Sequence, residues 1–185
     1  MQTIVIYGDK QDIEVKNQII QLLKNDYNIT VIEDHRIYSV GSGPSLNIIL
    51  TNNYSSILIT NAIIILTSNA KLSYLELIDP SCRIIVNADD ANYVSRLASL
   101  NSNIYTCGFS QKDSITFSSR EKDNVVVSLQ RSITTISDNL CEPFEIPCEI
   151  FNEISDYTIL ATILVLILLN YYDEKKCLLL TKIYF

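Results

Sequence analysis

The segment Arg83-Ile-Ile-Val-Asn-Ala-Asp-Asp90 joins a short apolar run to one amide and two carboxylates. Its apolar part is bounded by Pro80 on one side and by polar residues on the other. Such a run is typical of a strand that is buried on both faces of a parallel sheet. Open α/β sheets bind their ligands at the carboxyl ends of the strands, and this is where Asn87, Asp89 and Asp90 are expected to lie.

These polar residues have two interpretations. In the functional one, Asn87 hydrogen-bonds the edge of a purine and an Asp accepts hydrogen bonds from ribose hydroxyls. In the structural one, Asp89 or Asp90 caps the helix that the sequence predicts at Ala91–Leu100, which is the common role of Asp at a strand-to-helix junction. Taken alone, the N-cap preference of Asp favours the capping role.

The composition indicates one globular domain and argues against nucleic acid as a partner. The 185 residues suffice for one hydrophobic core, and 48% of them are hydrophobic while 19% are charged. The net charge of −7 disfavours contact with phosphate backbones, which requires clustered Lys and Arg. We therefore expect no nucleic-acid partner.

The cysteine pattern indicates reduced thiols in a cytoplasmic protein. The five cysteines contain no Cys-x-x-Cys pair, and with a single histidine in the chain a zinc site has few ligands to draw on. The amino terminus enters a strand directly, without the pattern of a signal peptide. The cysteines are Cys82, Cys107, Cys141, Cys148 and Cys177.

The first part of the chain predicts a parallel α/β sheet. Strands are predicted at Thr3–Tyr7 and Ile29–Glu33, and a helix with an apolar stripe lies between them from Ile13 to about Asn25. The apolar stretch Ser56–Thr67 should contain a central strand, for which Thr60-Asn61 is a candidate end. Strand–helix–strand order favours parallel strands with right-handed crossovers.

In the later part of the chain, the sequence pattern changes from alternating strands and helices to short, closely spaced strands. A helix is predicted at Lys71–Ile78 and a strand at Asn103–Cys107. The short, β-branched segments that follow predict an antiparallel meander. These segments are Ser114–Phe117, Asn124–Leu129, Ser132–Ile136 and Phe144–Ile146.

Thr158–Leu169 is the most apolar stretch of the chain. It falls short of the roughly 20 apolar residues that a membrane span needs, so we expect a buried helix and no membrane span. A final strand or tail is predicted at Cys177–Phe185. The chain 1–185 is thus interpreted as one domain. Its parts are a parallel α/β part (1–110), antiparallel hairpins (111–147), a buried helix (148–173) and a carboxyl-terminal strand or tail (174–185).

The order of these elements resembles the central domain of the Mur ligases and their folylpolyglutamate synthetase relatives. The resemblance is carried by Asn87-Ala-Asp-Asp90, a helix, and then Ile104-Tyr-Thr-Cys-Gly-Phe109. Val40-Gly-Ser-Gly43, Ile59-Thr-Asn61 and the entry Pro147-Cys-Glu-Ile-Phe-Asn152 into an apolar helix are also similar to the family. The resemblance implies a mostly parallel, P-loop-NTPase-related sheet with a small antiparallel β subdomain. It spans about residues 1 to 172.

The chain departs from the family where nucleotide phosphates and magnesium would bind. The family's Gly-Thr-x-Gly-Lys-Thr loop is replaced by Tyr7-Gly-Asp-Lys-Gln-Asp-Ile13, whose two carboxylates would repel a triphosphate. Ser39 stands where the family has an acidic residue, and Ala62-Ile-Ile-Ile-Leu66 stands where it has Asp-His. Neither place offers the hard oxygen ligands that magnesium prefers. Lys71, which corresponds to a modified lysine of the relatives, then has no metal site to serve.

The sequence therefore predicts a non-catalytic Mur-ligase-like module with no catalytic residue, no metal ligand and no cofactor. The only histidine is His35. No sequence motif connects it to a nucleophilic Ser or Cys, so it is interpreted as a loop or surface residue. The expected partner is another protein or a second copy of the chain, with a link to peptidoglycan synthesis. The alternative is a nucleotide-binding, ligase-related domain that binds ATP with magnesium and keeps adenosine contacts at Asn87, Asp89 and Asp90.

Overall fold

A computed structural model describes residues 1–8, 13–52, 57–67, 78–89, 97, 103–151, 154–172 and 178–181. Within these residues it contains thirteen strands and two helices. In chain order they are β1 (Gln2–Tyr7), α1 (Ile13–Leu23), β2 (Asn28–Glu33), β3 (Arg36–Val40), β4 (Ser45–Thr51), β5 (Ile63–Leu66), β6 (Arg83–Asn87), β7 (Asn103–Cys107), β8 (Ile115–Arg120), β9 (Asn124–Leu129), β10 (Ile133–Thr134), β11 (Leu140–Cys141), β12 (Glu145–Phe151), α2 (Asp156–Leu168) and β13 (Leu178–Thr181).

Eleven strands form one mostly parallel sheet in the order β13-β12-β9-β8-β7-β6-β5-β1-β4-β2-β3. The antiparallel pairs in it are β2 with β3, β8 with β9, and β9 with β12. The predicted α/β class is confirmed, and the strands predicted at Thr3–Tyr7, Arg83–Val86 and Asn103–Cys107 do lie parallel in one sheet. The remaining strands, β10 and β11, pair as a small separate antiparallel sheet.

The two faces of the sheet bury alternate residues of the same strands, because successive side chains of a strand point to opposite faces. In β1, Ile4 and Ile6 belong to the core that includes α1 and α2. Val5 and Tyr7 belong to a second core on the other face, where Ile57, Ile78 and Leu97 pack against the strands. This two-sided burial explains the near-continuous apolar runs in the sequence.

Helix α2 confirms the predicted buried helix. Every residue from Thr158 to Leu168 is buried, and Ser155 caps the amino terminus by accepting a hydrogen bond from the backbone amide of Thr158. Arg120 on β8 pairs with Asp156 in its first turn. Within the described residues, no helix is long and apolar enough to cross a membrane.

The insertion of β3 and β4 is a difference from the sequence-based prediction. The chain leaves β2 through a two-residue turn, returns as β3, and then enters the sheet as β4 between β1 and β2. Gly41 and Gly43 in the following turn have φ angles of 90° and 121°. Their positions lie against backbone carbonyls of Lys24, Asp26 and Tyr27, where a Cβ atom would clash.

Three predicted element boundaries are corrected. The central strand begins only at Ile63, so Thr60-Asn61 precedes β5 and does not end a strand. Of Ser132–Ile136, only Ile133–Thr134 is a strand, and it pairs outside the main sheet. The strand predicted at Phe144–Ile146 extends as Glu145–Phe151. The helices predicted at Lys71–Ile78 and Ala91–Leu100 fall almost wholly outside the described residues.

Candidate functional site

Asn87 lies at the carboxyl end of β6, at the edge of the sheet where the sequence placed it. Its side-chain oxygen accepts a hydrogen bond from the backbone amide of Asp89 at 3.1 Å, which closes a local turn. Asp89 is exposed. Asp90 lies outside the described residues, so the structure brings together two of the three predicted binding residues and uses Asn87 in a backbone turn.

The neighbouring end of β7 is closely packed. A Cβ atom at Gly108 would lie 2.7 Å from the Cβ of Ala88 and 2.5 Å from a carboxylate oxygen of Asp113, so glycine is required here. Asp113 is buried and accepts a hydrogen bond from the backbone amide of Ser110. Burial, with the Asp113 carboxylate beside it, raises the pKa of the Cys107 thiol, so Cys107 stays protonated and is a poor nucleophile.

A cleft lies at the same edge of the sheet, at the carboxyl ends of β1, β4 and β2. It has a volume of about 300 Å³ and is lined by Gly8, Ile13, Glu33–Arg36 and Leu50–Asn52. The carboxyl ends of parallel strands are the usual binding edge of α/β folds. The backbone amide of Gly8 donates a hydrogen bond to the carbonyl of Thr51, and the Tyr7 hydroxyl donates one to the backbone carbonyl of Asn52. These two bonds connect the ends of β1 and β4 at the cleft.

Glu33 lines this cleft and forms ion pairs with two basic residues. Its carboxylate binds both Lys16, which is buried on α1, and the exposed Arg36. Burial by itself would raise the pKa of Glu33, but the hydrogen bonds from Arg36 and Lys16 outweigh it and lower the pKa. Glu33 is therefore ionised at neutral pH and holds the β2–β3 hairpin against α1.

This group was not predicted from the sequence. His35, which was predicted to be a loop or surface residue, is exposed in the turn between β2 and β3. Lys16 is only 2% exposed despite its charge. Its position among the apolar residues of α1 was the one available signal, because a Lys on a buried helix face needs a carboxylate partner. Its partner Glu33 lies seventeen residues away in the sequence.

The opposite edge of the sheet contains Asn61 and Arg83, at the amino ends of β5 and β6. The Arg83 guanidinium is 4% exposed and donates hydrogen bonds to the backbone carbonyl of Thr135 and to the carboxylate of Asp138, both at 2.7 Å. Arg83 also donates to the side chain of Asn61. Asn61 is thus part of a structural clamp, on the edge away from Asn87.

The turn Val40-Gly-Ser-Gly43, which resembles the family's Gly-rich turn, also lies on this amino edge, because only Pro44 separates it from the first residue of β4. Ser39 is exposed on β3 and its hydroxyl contacts that of Thr30 at 3.2 Å. Ile63–Ile65 are fully buried in the centre of the sheet. Within the part of the chain that the structure describes, no group of three or more His, Cys, Asp or Glu side chains is arranged to hold a metal ion.

A row of apolar side chains crosses the sheet and reaches the surface at β3. Strand register places six residues opposite one another in adjacent strands, in the order Ile84, Ile64, Val5, Ile49, Ile32 and Ile37. Ile84, Ile64 and Val5 are buried, Ile49 and Ile32 are half-buried, and Ile37 is 72% exposed. We name these five isoleucines and Val5 the isoleucine row. The row extends from the core into solvent.

A polar row lies beside it on the same face. Thr3, Asn47, Thr30 and Ser39 are opposite one another in β1, β4, β2 and β3. On the other face of β3, Tyr38 and Val40 pack against the core that contains α1. β3 is the last strand in the order of the sheet, so the backbone on its outer side has no neighbouring strand among the described residues. An edge strand with an exposed isoleucine is a candidate interaction surface.

Comparison with known proteins adds no family to this description. No protein-family model matches the chain, and no curated protein matches it significantly.

Proposed function

We propose that this chain is a non-catalytic binding module with a Mur-ligase-like central-domain architecture, and that it acts by contact with another protein chain. The observation that carries the proposal is the isoleucine row, which continues from the core to the exposed Ile37 at the β3 edge. An unpaired strand edge offers backbone donors and acceptors to a partner strand, and the exposed side chain adds apolar area.

The sequence of β3 gives this edge little protection against pairing. Natural edge strands commonly carry Pro, Lys, an inward-pointing charge or a bulge that prevents addition of another strand. Arg36-Ile-Tyr-Ser-Val40 has one charge, at its first residue, and pairs with β2 in an unbroken register. The guanidinium of Arg36 lies over the ring of Tyr38, 5.1 Å from its centroid, rather than projecting from the strand edge.

The partner that fits this edge is a second copy of the chain. Two copies related by a two-fold axis can pair their β3 strands antiparallel, with Ile37 of each copy opposite the partner's Ile37. The isoleucine rows of the two sheets would then join, and Arg36 would lie opposite the partner's Tyr38. A contact through one short strand buries less area than a standard interface, so we expect weak and concentration-dependent association.

The resemblance to the Mur ligases supplies the proposed setting. The ligases of that family join an amino acid to a carboxylate in peptidoglycan synthesis, and the chain departs from them at the loop and metal positions. We therefore propose that the module serves peptidoglycan synthesis by association and not by catalysis. The ionised Glu33, bound by Lys16 and Arg36, supports this role by holding the β2–β3 hairpin in place.

Sedimentation velocity over a range of protein concentrations tests the proposal. The wild type should pass from monomer to dimer with increasing concentration, and Ile37→Lys should remain a monomer because it places a charge at the centre of the paired edge. Leu140→Lys is the matched control, since Leu140 is 66% exposed on β11, away from β3. It should associate like the wild type. A wild type that remains monomeric, or equal association of both variants, would contradict the proposal.

A further inference from the structure

The face of β3 opposite to the isoleucine row carries a cation next to an aromatic ring. Arg36 and Tyr38 lie two residues apart on this face, and the Arg36 guanidinium is 5.1 Å from the centroid of the Tyr38 ring. Glu33 binds the same guanidinium from the neighbouring strand β2. The side chain of Arg36 is still 65% exposed, so it has surface that is open to a further contact.

The hydrogen bonds of the β2–β3 hairpin determine which backbone groups of β3 face its open side. Glu33 and Arg36 flank the two-residue turn as an antiparallel pair, and the pair that closes such a turn is hydrogen-bonded within the hairpin. Backbone groups alternate in direction along a strand, so those of Tyr38 also point to β2. The groups of Ile37 and Ser39 point to the open side, and an added antiparallel strand must bond to them.

The two-fold pairing proposed above places Arg36 against the partner's Tyr38. With Ile37 and the partner's Ile37 as a hydrogen-bonded pair, Arg36 and the partner's Tyr38 lie in the adjacent non-hydrogen-bonded positions, where opposite side chains approach most closely. A two-fold pairing centred on Tyr38 would instead place Ile37 opposite Ser39 and Arg36 opposite Val40. That register matches an apolar side chain with a hydroxyl and a cation with an aliphatic group.

From this geometry we infer that two reciprocal cation–π contacts, Arg36 of each copy with the partner's Tyr38, select the register of self-association. The inference rests on the proposed function, because it concerns the same strand edge. The two-fold axis creates the contact twice, so one substitution at Arg36 or Tyr38 removes two contacts. Glu33 supports them by holding the guanidinium on the face of β3 that carries Tyr38.

NMR of a mixture of ¹³C-labelled and unlabelled protein, with filters that select contacts between the two, tests the inference. We expect intermolecular NOEs between Arg36 and the partner's Tyr38 ring, and between the Ile37 methyl groups of the two copies. Intermolecular NOEs that connect Tyr38 with the partner's Tyr38, or Ile37 with the partner's Ser39, would overturn the inference and leave the proposed association standing. The absence of both intermolecular NOEs and a dimer in sedimentation would overturn the two proposals together.

Substitution of Tyr38 gives a second test, read by sedimentation equilibrium. Tyr38→Leu keeps an apolar side chain against the core but removes the ring, so it should weaken dimerisation by about tenfold. Tyr38→Phe keeps the ring and is the matched control, which should dimerise like the wild type. Circular dichroism should show both variants folded. Equal dimer dissociation constants for the two variants would overturn the role of the ring, even where the wild type dimerises as proposed.

Discussion

The centre of the sheet and its β3 end are built from the same residue type but differ in what covers them. Ile64 lies in β5 between two neighbouring strands and is fully buried, whereas Ile37 lies in the last strand and is 72% exposed. Both belong to the isoleucine row. The difference teaches that an apolar side chain contributes to folding only where strands and packed side chains remove it from water, and is available for binding where they do not.

The largest expected effect lies in the helix that covers the centre. Leu164 on α2 is fully buried, so Leu164→Asp places an unpaired charge in the core and should reduce stability by more than about 4 kcal/mol, enough to unfold the domain. Circular dichroism during urea unfolding would measure this. Leu58→Asp, at a residue that is 78% exposed, is the control and should unfold like the wild type. An unchanged transition for Leu164→Asp would show that α2 is not part of the core.

The same truncation at two places along the isoleucine row tests the comparison directly. Ile64→Ala should cost about 3 kcal/mol, because it removes buried methyl groups and leaves a cavity. Ile37→Ala should change stability by no more than about 0.5 kcal/mol, as is usual for exposed positions. Urea unfolding at a protein concentration where the chain is monomeric gives both values. Similar losses for the two variants would mean that β3 is covered in solution.

A smaller and pH-dependent effect is expected at the junction between the two regions. Glu33→Gln leaves Lys16 buried without its carboxylate and should cost about 2 kcal/mol at pH 7. Because the folded state lowers the pKa of Glu33 below the ordinary value of 4.5, this contribution is present above pH 4.5 and is lost as the pH falls below it. The stability difference between wild type and variant should therefore shrink below pH 4.5. A difference that is constant with pH would contradict the ion-pair assignment.

Local sequence patterns predicted the centre of the sheet well, and the β3 end poorly. The runs at Thr3–Tyr7 and Arg83–Val86 are apolar because both faces of their strands are buried, and this leaves a clear pattern. The β2–β3 turn at Asp34-His35 lacks the Asn-Gly or Asp-Gly signal of a two-residue hairpin. The insertion of β4 between β1 and β2 is a long-range pairing that no local pattern specifies.

The candidate sites show the same limit. Asn87 could be placed at the binding edge because it directly follows a recognisable strand. The cleft could not be predicted, since its lining residues come from the ends of three strands that lie far apart in the sequence. Arg83 was interpreted as the start of an apolar run, but its partners Thr135 and Asp138 lie more than fifty residues later. Burial of its charge depends on contacts that only the folded chain creates.

Hydrogen exchange resolved by residue, measured at low and at high protein concentration, tests the central claim most directly. We expect backbone amides within Arg36–Val40 to exchange more slowly at high concentration, while those in the exposed turn 121–123 do not change. Ile37→Lys should abolish this protection. Exchange in β3 that is independent of concentration, or protection that appears elsewhere on the surface instead, would contradict the assignment of β3 as the interaction edge.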